Sequence, residues 1–482
     1  MVEVKQESAW LILAECCRWA TLFYVIRRQK MIRTYTEAEA YLSEVPKFTK
    51  KNPLEETKGF YDFLLNDAKE GQAIQLANLG KIIHVAGTNG KGSVCSFLNS
   101  ICRESGYKVA MFTSPHLITT RERFQIDGEM ISEEEFMESF QWLEMAVEAY
   151  HEVKPDYQPT YFERLFFMSL YVFAKAKVDI TIMETGLGGR LDTTNVLDKP
   201  AISVITEIGF DHMAYLGDTL EKIASEKAGI MKAEIPVVFT DRKSETSVVI
   251  EEFAAKLGVP CYKVLKNEYK INEIRKKSID FSVCSRYYDY IRLTTHTQAV
   301  YQVENAAVAI RAIEVLKETQ GLDGVTKDTI VRGVEKMRWP GRMEEVVSGV
   351  CIDGAHNEDG MQAFIDSIVA KHASLPKSGK CYVVFSAVQD KKYDKMIQML
   401  SKVEYITDFV ITRIPGERGA NLEDLKQLFQ EYTNVPIHVY EEIRDAITYC
   451  VQNKGEDGNV YIVGSLYLAG LVEDLFREDS VN

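Results

Sequence analysis

The segment that most constrains this chain is His84-Val85-Ala86-Gly87-Thr88-Asn89-Gly90-Lys91-Gly92-Ser93. It follows the apolar run Ile82 to Ala86, which reads as a buried strand, and it opens the helical pattern Ser93 to Cys102. A glycine-rich turn in that position lets successive backbone N–H groups and a helix N-terminus face anionic oxygens. The turn holding Asn89, Gly90, Lys91 and Gly92 reads as a phosphate-binding loop, with Lys91 placed to neutralise the terminal phosphates. Gly92, rather than Ser or Thr, follows the lysine. The hydroxyl that would hold a magnesium ion must then come from Ser93 or from elsewhere.

Further strand-like runs recur at Val109 to Phe112, Ile180 to Met183, Ala201 to Ile205 and Val237 to Phe239. Helical patterns such as Glu133 to Tyr150, Arg164 to Ala176 and Gln302 to Glu318 separate or follow them. Such alternation predicts a parallel sheet covered by helices. It breaks at Arg338-Trp339-Pro340-Gly341 and restarts with strands at Val350 to Ile352, Tyr382 to Phe385, Phe409 to Ile411 and Val460 to Val463. The expected fold is α/β: an N-terminal P-loop-type parallel-sheet ATPase domain over 31–338 and a smaller C-terminal Rossmann-like α/β domain over 339–482. Residues 1–30 read as a non-catalytic extension, too interrupted by Glu15 and Arg18 for a membrane span.

The strand ends carry the remaining chemistry, because open α/β sheets bind ligands at their carboxyl edge. Ser114 follows the second strand and offers a hydroxyl beside the phosphate loop. Glu184 ends the next and is a candidate magnesium ligand, Mg²⁺ preferring a few hard oxygen donors from protein. Asp211-His212 and, fifteen residues on, Lys227 lie at the following edge, where taken alone a His–Lys pair reads first as helix capping. In the second domain Asp353 suits ribose hydroxyls, and Arg342 could cover an adenine ring or grip a phosphate.

Charge and cysteine usage narrow the partners. Lys and Arg number 57 against 71 Asp and Glu, a net charge of −14, which disfavours nucleic acid or an anionic membrane as the main partner. Nine cysteines with no C-x-x-C pair indicate neither a disulfide framework nor a zinc ribbon, and fit a reducing cytoplasm.

Together these residues resemble the folylpolyglutamate synthase and dihydrofolate synthase family of Mur-type amide ligases. The resemblance rests on GTNGKGS at 87–93, TSPHL at 113–117, TYFE at 160–163, ETGLGGRLDTTN at 184–195, DH at 211–212, EKAGI at 226–230, Gln302 with Asn305, PGR at 340–342, DGAHN at 353–357 and GSLYLAG at 464–470. It implies an ATP-dependent ligase joining L-glutamate to a carboxylate of a reduced folate, or of dihydropteroate, through an acyl phosphate. A Mur-type ligase for another carboxylate, or an inactive ATP-binding relative, are the alternatives.

By position, the resemblance implies that Ser93, Ser114 and Glu184 surround one Mg²⁺ and that His212 and a carbamylated Lys227 serve a second. It also implies that Lys91, His212 and Lys227 are catalytic, and that Asn305, Arg342 and Asp353 contact ATP. Thr160, Tyr161, Phe162 and Glu163, with Leu191, Asp192 and Thr193, would line the folate pocket. A monovalent cation and a monomeric, cytoplasmic enzyme complete the expectation. Three places depart from the family pattern: Glu358 replaces the proline after DGAHN, Ser386…Asp390-Lys391-Lys392 replaces Gly…Asp-Lys-Asp, and the segment around Phe48 to Pro53 matches only loosely.

Overall fold

The computed structural model describes residues 32–45, 52–66, 73–374, 379–389, 392–416 and 418–481. The expectations for residues 1–30 and for Asp390 and Lys391 lie outside the described residues. The chain forms two compact units, one reaching to Leu76 and including Ile131–Lys175, the other comprising Ala77–Met130 and everything from Ala176 onward.

The first unit is helical. Thr34 caps the helix Tyr35–Glu44 and Ser132 caps Glu133–Tyr150, each in a reciprocal box with a glutamate three residues on, Glu37 and Glu135. The remaining helices are Leu54–Asn66 and Tyr161–Ala176. Phe60, buried, meets Tyr150, Tyr157 and Phe167 at ring-centroid distances of 4.8–5.1 Å. The aromatic cluster is the core that these helices share.

The second unit carries the sheets. Its strands are β1 (Lys81–Ala86), β2 (Val109–Phe112), β3 (Phe124–Ile126), β4 (Glu129–Met130), β5 (Ile180–Glu184), β6 (Ile202–Ile205), β7 (Val237–Asp241), β8 (Cys261–Leu265), β9 (Tyr269–Ile274), β10 (Ile279–Cys284), β11 (Tyr290–Thr295), β12 (Arg342–Val347), β13 (Val350–Asp353), β14 (Cys381–Phe385), β15 (Asp408–Thr412), β16 (Ile437–Tyr440) and β17 (Asn459–Val463). The first sheet runs β4-β3-β2-β5-β1-β6-β7-β8. It is parallel from β2 to β8, with antiparallel β3 and β4 at one edge. The second has the order β12-β13-β17-β14-β15-β16, parallel except for β12.

Burial explains the continuous apolar runs. Ile83 and Val85 of β1, Ile182 of β5 and Val204 of β6 join one core with the helices Lys91–Glu104 and Gln302–Gln320. The second sheet is covered on both faces, by cores around Phe364 and Phe429 on one side and Ile447 and Leu468 on the other. Cys95, Cys102, Cys351 and Cys381 are buried free thiols within these cores, as their apolar settings predict. Among the described residues, no helix is long and apolar enough to cross a membrane.

The strands β3, β4, β8, β12 and β16 and one whole sheet lie outside the strand pattern expected from the sequence. β9, β10 and β11 make an antiparallel sheet whose buried residues alternate, as in Ile279, Phe281 and Val283 of β10. Its alternation of buried and half-buried residues is a period-2 strand pattern, distinct from the continuous apolar runs of the parallel sheet.

Candidate active site

β1 lies between β5 and β6, so three carboxyl ends converge where the phosphate loop leaves the sheet. Thr88 and Asn89 donate their backbone N–H groups to the Glu207 carbonyl (2.7 and 3.3 Å), and Thr206 Oγ1 donates to the Asn89 carbonyl at 2.7 Å. These bonds tie the loop to the end of β6. Gly90 caps the helix Lys91–Glu104 with a φ of 86°, a left-handed conformation that favours glycine. Lys91 Nζ donates to the carbonyls of Gly87 and Thr88, both at 3.2 Å, which holds the cation over the loop.

Gly92 has a steric explanation. A Cβ there would stand 2.6 Å from Cζ2 of Trp339, so a hydroxyl-bearing residue cannot follow the lysine without moving the indole. Ser93, next along, is buried, and its Oγ accepts from Gln302 Nε2 at 3.1 Å. Asn305 Nδ2 donates to Gln302 Oε1 at 2.9 Å, and a Cβ at Gly90 would stand 2.5 Å from Asn305 Oδ1, so both amides from the helix Gln302–Gln320 reach the phosphate loop and its helix start.

Glu184, at the end of β5, accepts from the Ser114 N–H at 2.9 Å. Burial pushes its carboxyl up, against the opposing pull of Lys91, the Ser114 amide, Arg342 and Arg123. Lys227 is buried in the last turn of the helix Leu220–Ala228 and donates to the Gly87 carbonyl at 2.6 Å. Burial first, and neighbouring Lys91 second, bring its amine down to about 7. His212 sits at the helix start Met213–Leu216 with a φ of 49°, its ring 3.8 Å from Asp211 and 41% exposed. Neither residue is a mere helix cap: Lys227 faces the phosphate loop, and His212 makes no side-chain capping bond.

The second sheet completes the cleft. Asp353, ending β13, accepts from Tyr301 Oη (2.6 Å), Met343 N (3.0 Å) and Ala355 N (2.8 Å). Arg342 pairs with it across β12 and β13 and helps to offset the burial that raises the Asp353 carboxyl. Lys91, Ser93, Ser114, Glu184, Asp211, His212, Lys227, Asn305, Arg342 and Asp353 all line one cleft.

Several participants were not given roles from sequence. Asn357 Nδ2 donates to Asn89 Oδ1 at 3.0 Å and to Asp211 Oδ2 at 3.3 Å, and His356 Nε2 lies 3.5 Å from Asp211. DGAHN and DH are separate motifs in the sequence, and folding brings them together. The Glu358 departure is locally harmless, because Glu358 opens the helix Glu358–Ser374. Proline and an acidic residue are both suited to that first turn.

The folate segments differ in character. Asp192, buried, accepts from Leu187 N at 2.7 Å and from the backbone and hydroxyl of Thr194 at 3.0 and 2.6 Å, shaping the loop. Thr193 is buried beside it, and Leu191 is 42% exposed. In the first unit, Thr160 N donates to Glu163 at 2.7 Å, and Asn52 Nδ2 and the Thr57 hydroxyl donate to the same carboxylate. Glu163 is therefore buried as the organiser of its helix start, following buried Tyr161 and half-buried Phe162. Asn52 adjoins residues 48–51, which lie outside the described set, and its role had no recognisable sequence signal.

The phosphate loop, the strand-end carboxylate, the buried lysine and a second sheet carrying an arginine–aspartate pair define the class. The Mur ligase middle domain model matches residues 85–313, and the Mur ligase glutamate ligase domain model matches 341–466. The chain is an ATP-dependent ligase of this type. It is 36% identical over 396 residues to the dihydrofolate synthase/folylpolyglutamate synthase of Bacillus subtilis (strain 168), spanning 80% of this chain and 88% of that protein. Escherichia coli FolC in complex with DHPP and ADP superposes with a TM-score of 0.77 at 26% identity, over 93% of this chain and 99% of that one. Mycobacterium tuberculosis folylpolyglutamate synthase complexed with ADP gives 0.79 at 25% identity, over 92% and 98%. The chain belongs to the folylpolyglutamate synthase/dihydrofolate synthase family.

Proposed function

We propose that this enzyme uses ATP to phosphorylate a carboxylate of a reduced folate, or of dihydropteroate, and then joins it to L-glutamate. The observation that carries this reading is the convergence of Lys91, Glu184, Lys227, Arg342 and Asp353 on one cleft. A carboxylate is a poor electrophile; transferring the γ-phosphoryl group to its oxygen makes phosphate the leaving group. The glutamate amine then forms the C–N bond, loses a proton and expels phosphate. Catalysis of phosphoryl transfer is chiefly positioning and charge stabilisation.

The loop Asn89–Gly92 orients the phosphates and Lys91 offsets their charge, while Asn305, Arg342 and Asp353 hold the rest of the nucleotide. Arg342 and Asp353 come from the second sheet, so the site requires residues 31–338 and 339–482 to act together as two domains. The donors fit Mg²⁺: one buried carboxylate, Glu184, and two hydroxyls, Ser93 and Ser114, are hard oxygens. Mg²⁺ commonly keeps several waters and substrate phosphates as ligands, so a few protein oxygens of this kind are enough to hold it. Bound Mg²⁺ would supply charge neutralisation on the transferring phosphoryl group.

Lys227 supports the second part of the reading. A buried amine with a pKa brought down to about 7 has a substantial neutral fraction at neutral pH, and that fraction can add carbon dioxide, forming an N–C bond and releasing a proton. The resulting carbamate turns a cation into an oxygen donor, which His212 would join as a ligand of a second Mg²⁺. Leu191, Asp192 and Thr193 are proposed to serve folate in the second unit, as are Thr160, Tyr161 and Phe162 in the first, with Glu163 holding the latter segment. We further propose a monomeric, cytoplasmic enzyme.

Phosphate release with Mg-ATP and L-glutamate, offering dihydropteroate and tetrahydrofolate in separate reactions and weighing the products, tests the assignment. Turnover with tetrahydrofolate alone defines a polyglutamate synthase, and turnover with both a bifunctional enzyme. Silence with both, from protein that binds ADP, would refute it.

A further inference from the structure

We propose that Trp339 is a positioning residue for the nucleotide, bracing the phosphate loop from the turn that leads to Arg342. The inference rests on the reading of Lys91 and Arg342 as ATP-binding residues. Its first support is the close approach at Gly92, where a Cβ would meet Cζ2, Cε2 and Nε1 of the indole at 2.6, 3.0 and 3.1 Å. One edge of the ring thus lies against the first turn of the phosphate-binding helix, between the residues that supply its lysine and its serine.

The approach is held in place over several turns. Ser96 Oγ donates to the Arg338 carbonyl at 2.8 Å, and Ser100 Oγ donates to the Gly333 carbonyl at 2.7 Å. Glu104, at the far end of that helix, pairs with Arg332 and Lys336. The segment 332–339 therefore runs alongside the whole helix Lys91–Glu104, and Trp339 packs half-buried against the core of the first sheet.

Only Pro340 and Gly341 separate Trp339 from Arg342. Proline restricts the backbone there, and the Gly341 carbonyl accepts from Gly354 N at 2.9 Å, beside Asp353. An indole fixed on the phosphate loop is thus joined by a short, restrained link to the arginine and aspartate of the second sheet. Removing the ring would loosen the loop and its distance to Arg342 together. Nucleotide affinity should suffer, whereas the bond-making groups remain in place.

The test compares full-length wild type with Trp339→Ala, Trp339→Phe, Gly92→Ser and the Gly92→Ser/Trp339→Ala pair, reading KM for ATP, kcat and the ADP-induced rise in melting temperature. Trp339→Ala should raise KM for ATP about tenfold, with kcat within about threefold, and should shrink the ADP-induced rise. Trp339→Phe should restore most of both. Gly92→Ser should lose ATP affinity through collision with the indole, and the paired variant should be no worse than Trp339→Ala alone.

A purely structural tryptophan would lower the melting temperature without ADP but leave the ADP-induced rise and KM unchanged; that result overturns the proposal. If Trp339→Ala does not fold, an unchanged KM for ATP in Gly92→Ser overturns it instead. Wild type without any response to ADP would sink the nucleotide reading itself, and this inference with it.

Discussion

Lys227 offers a sharp test of how this site is built, because its chemistry and its burial act in opposite directions. The amine falls from an ordinary lysine's 10.5 to about 7, with burial the largest cause and Lys91 the next. At ~1.36 kcal/mol for each pH unit, holding that lysine charged in the fold costs about 5 kcal/mol at most. Lys227→Met keeps the volume and removes the charge, but also removes the bond to the Gly87 carbonyl, which is worth ~1–2 kcal/mol. The variant should therefore be more stable than the parent by about 3 kcal/mol at pH 6, while losing ligation.

The sign with pH follows from proton binding. Between about 7 and 10.5 the unfolded chain holds a proton on this lysine that the folded chain does not, so parent stability rises with pH across that interval. The advantage of Lys227→Met should be greatest below pH 7 and shrink as pH rises towards 10. Urea denaturation midpoints at pH 6, 7.5 and 9 measure this, in buffers free of carbon dioxide so that the amine stays unmodified. A variant less stable than the parent at every pH, or an advantage independent of pH, would refute the burial argument.

Other perturbations probe separate parts of the molecule. Glu184→Gln preserves shape but removes the buried negative charge that Lys91 and Arg342 face; steady-state assays should show kcat reduced at least about 100-fold, as for loss of a principal electrostatic group. His212→Ala should abolish ligation while circular dichroism and melting temperature stay near the parent, since its ring is 41% exposed; near-normal turnover would remove it from the site. Asn357→Ala cuts the bonds to Asn89 and Asp211, and should appear as a higher KM for ATP with a smaller change in kcat. Glu163→Ala leaves Asn52, Thr57 and Thr160 without their buried acceptor, and should cost about 2–4 kcal/mol in thermal or urea denaturation.

What could be read from the sequence was what neighbouring residues settle among themselves. The strand before the phosphate loop, the glycine turn and the helix after it are specified within His84–Ser93 and its flanks. Val109–Phe112 and Glu133–Tyr150 emerge with the bounds that their patterns predict. The ends of β1, β5 and β13 carry Lys91, Glu184 and Asp353 at or just beyond them, because ligand-binding residues in α/β sheets cluster at strand ends.

The tertiary structure decided who meets whom. That β5 lies between β2 and β1, that Trp339 blocks a side chain at Gly92, and that Asn89 meets Asn357 are contacts across tens to hundreds of residues. The resemblance places Glu163 in a folate-lining segment, and only the fold shows that its carboxylate accepts from Asn52 and Thr57 over separations of 111 and 106 residues. Local periodicity reports only which face of an element is apolar. Which groups lie opposite that face, and therefore which charges are buried, paired or free to act, depends on chain closure and packing, to which distant residues contribute together.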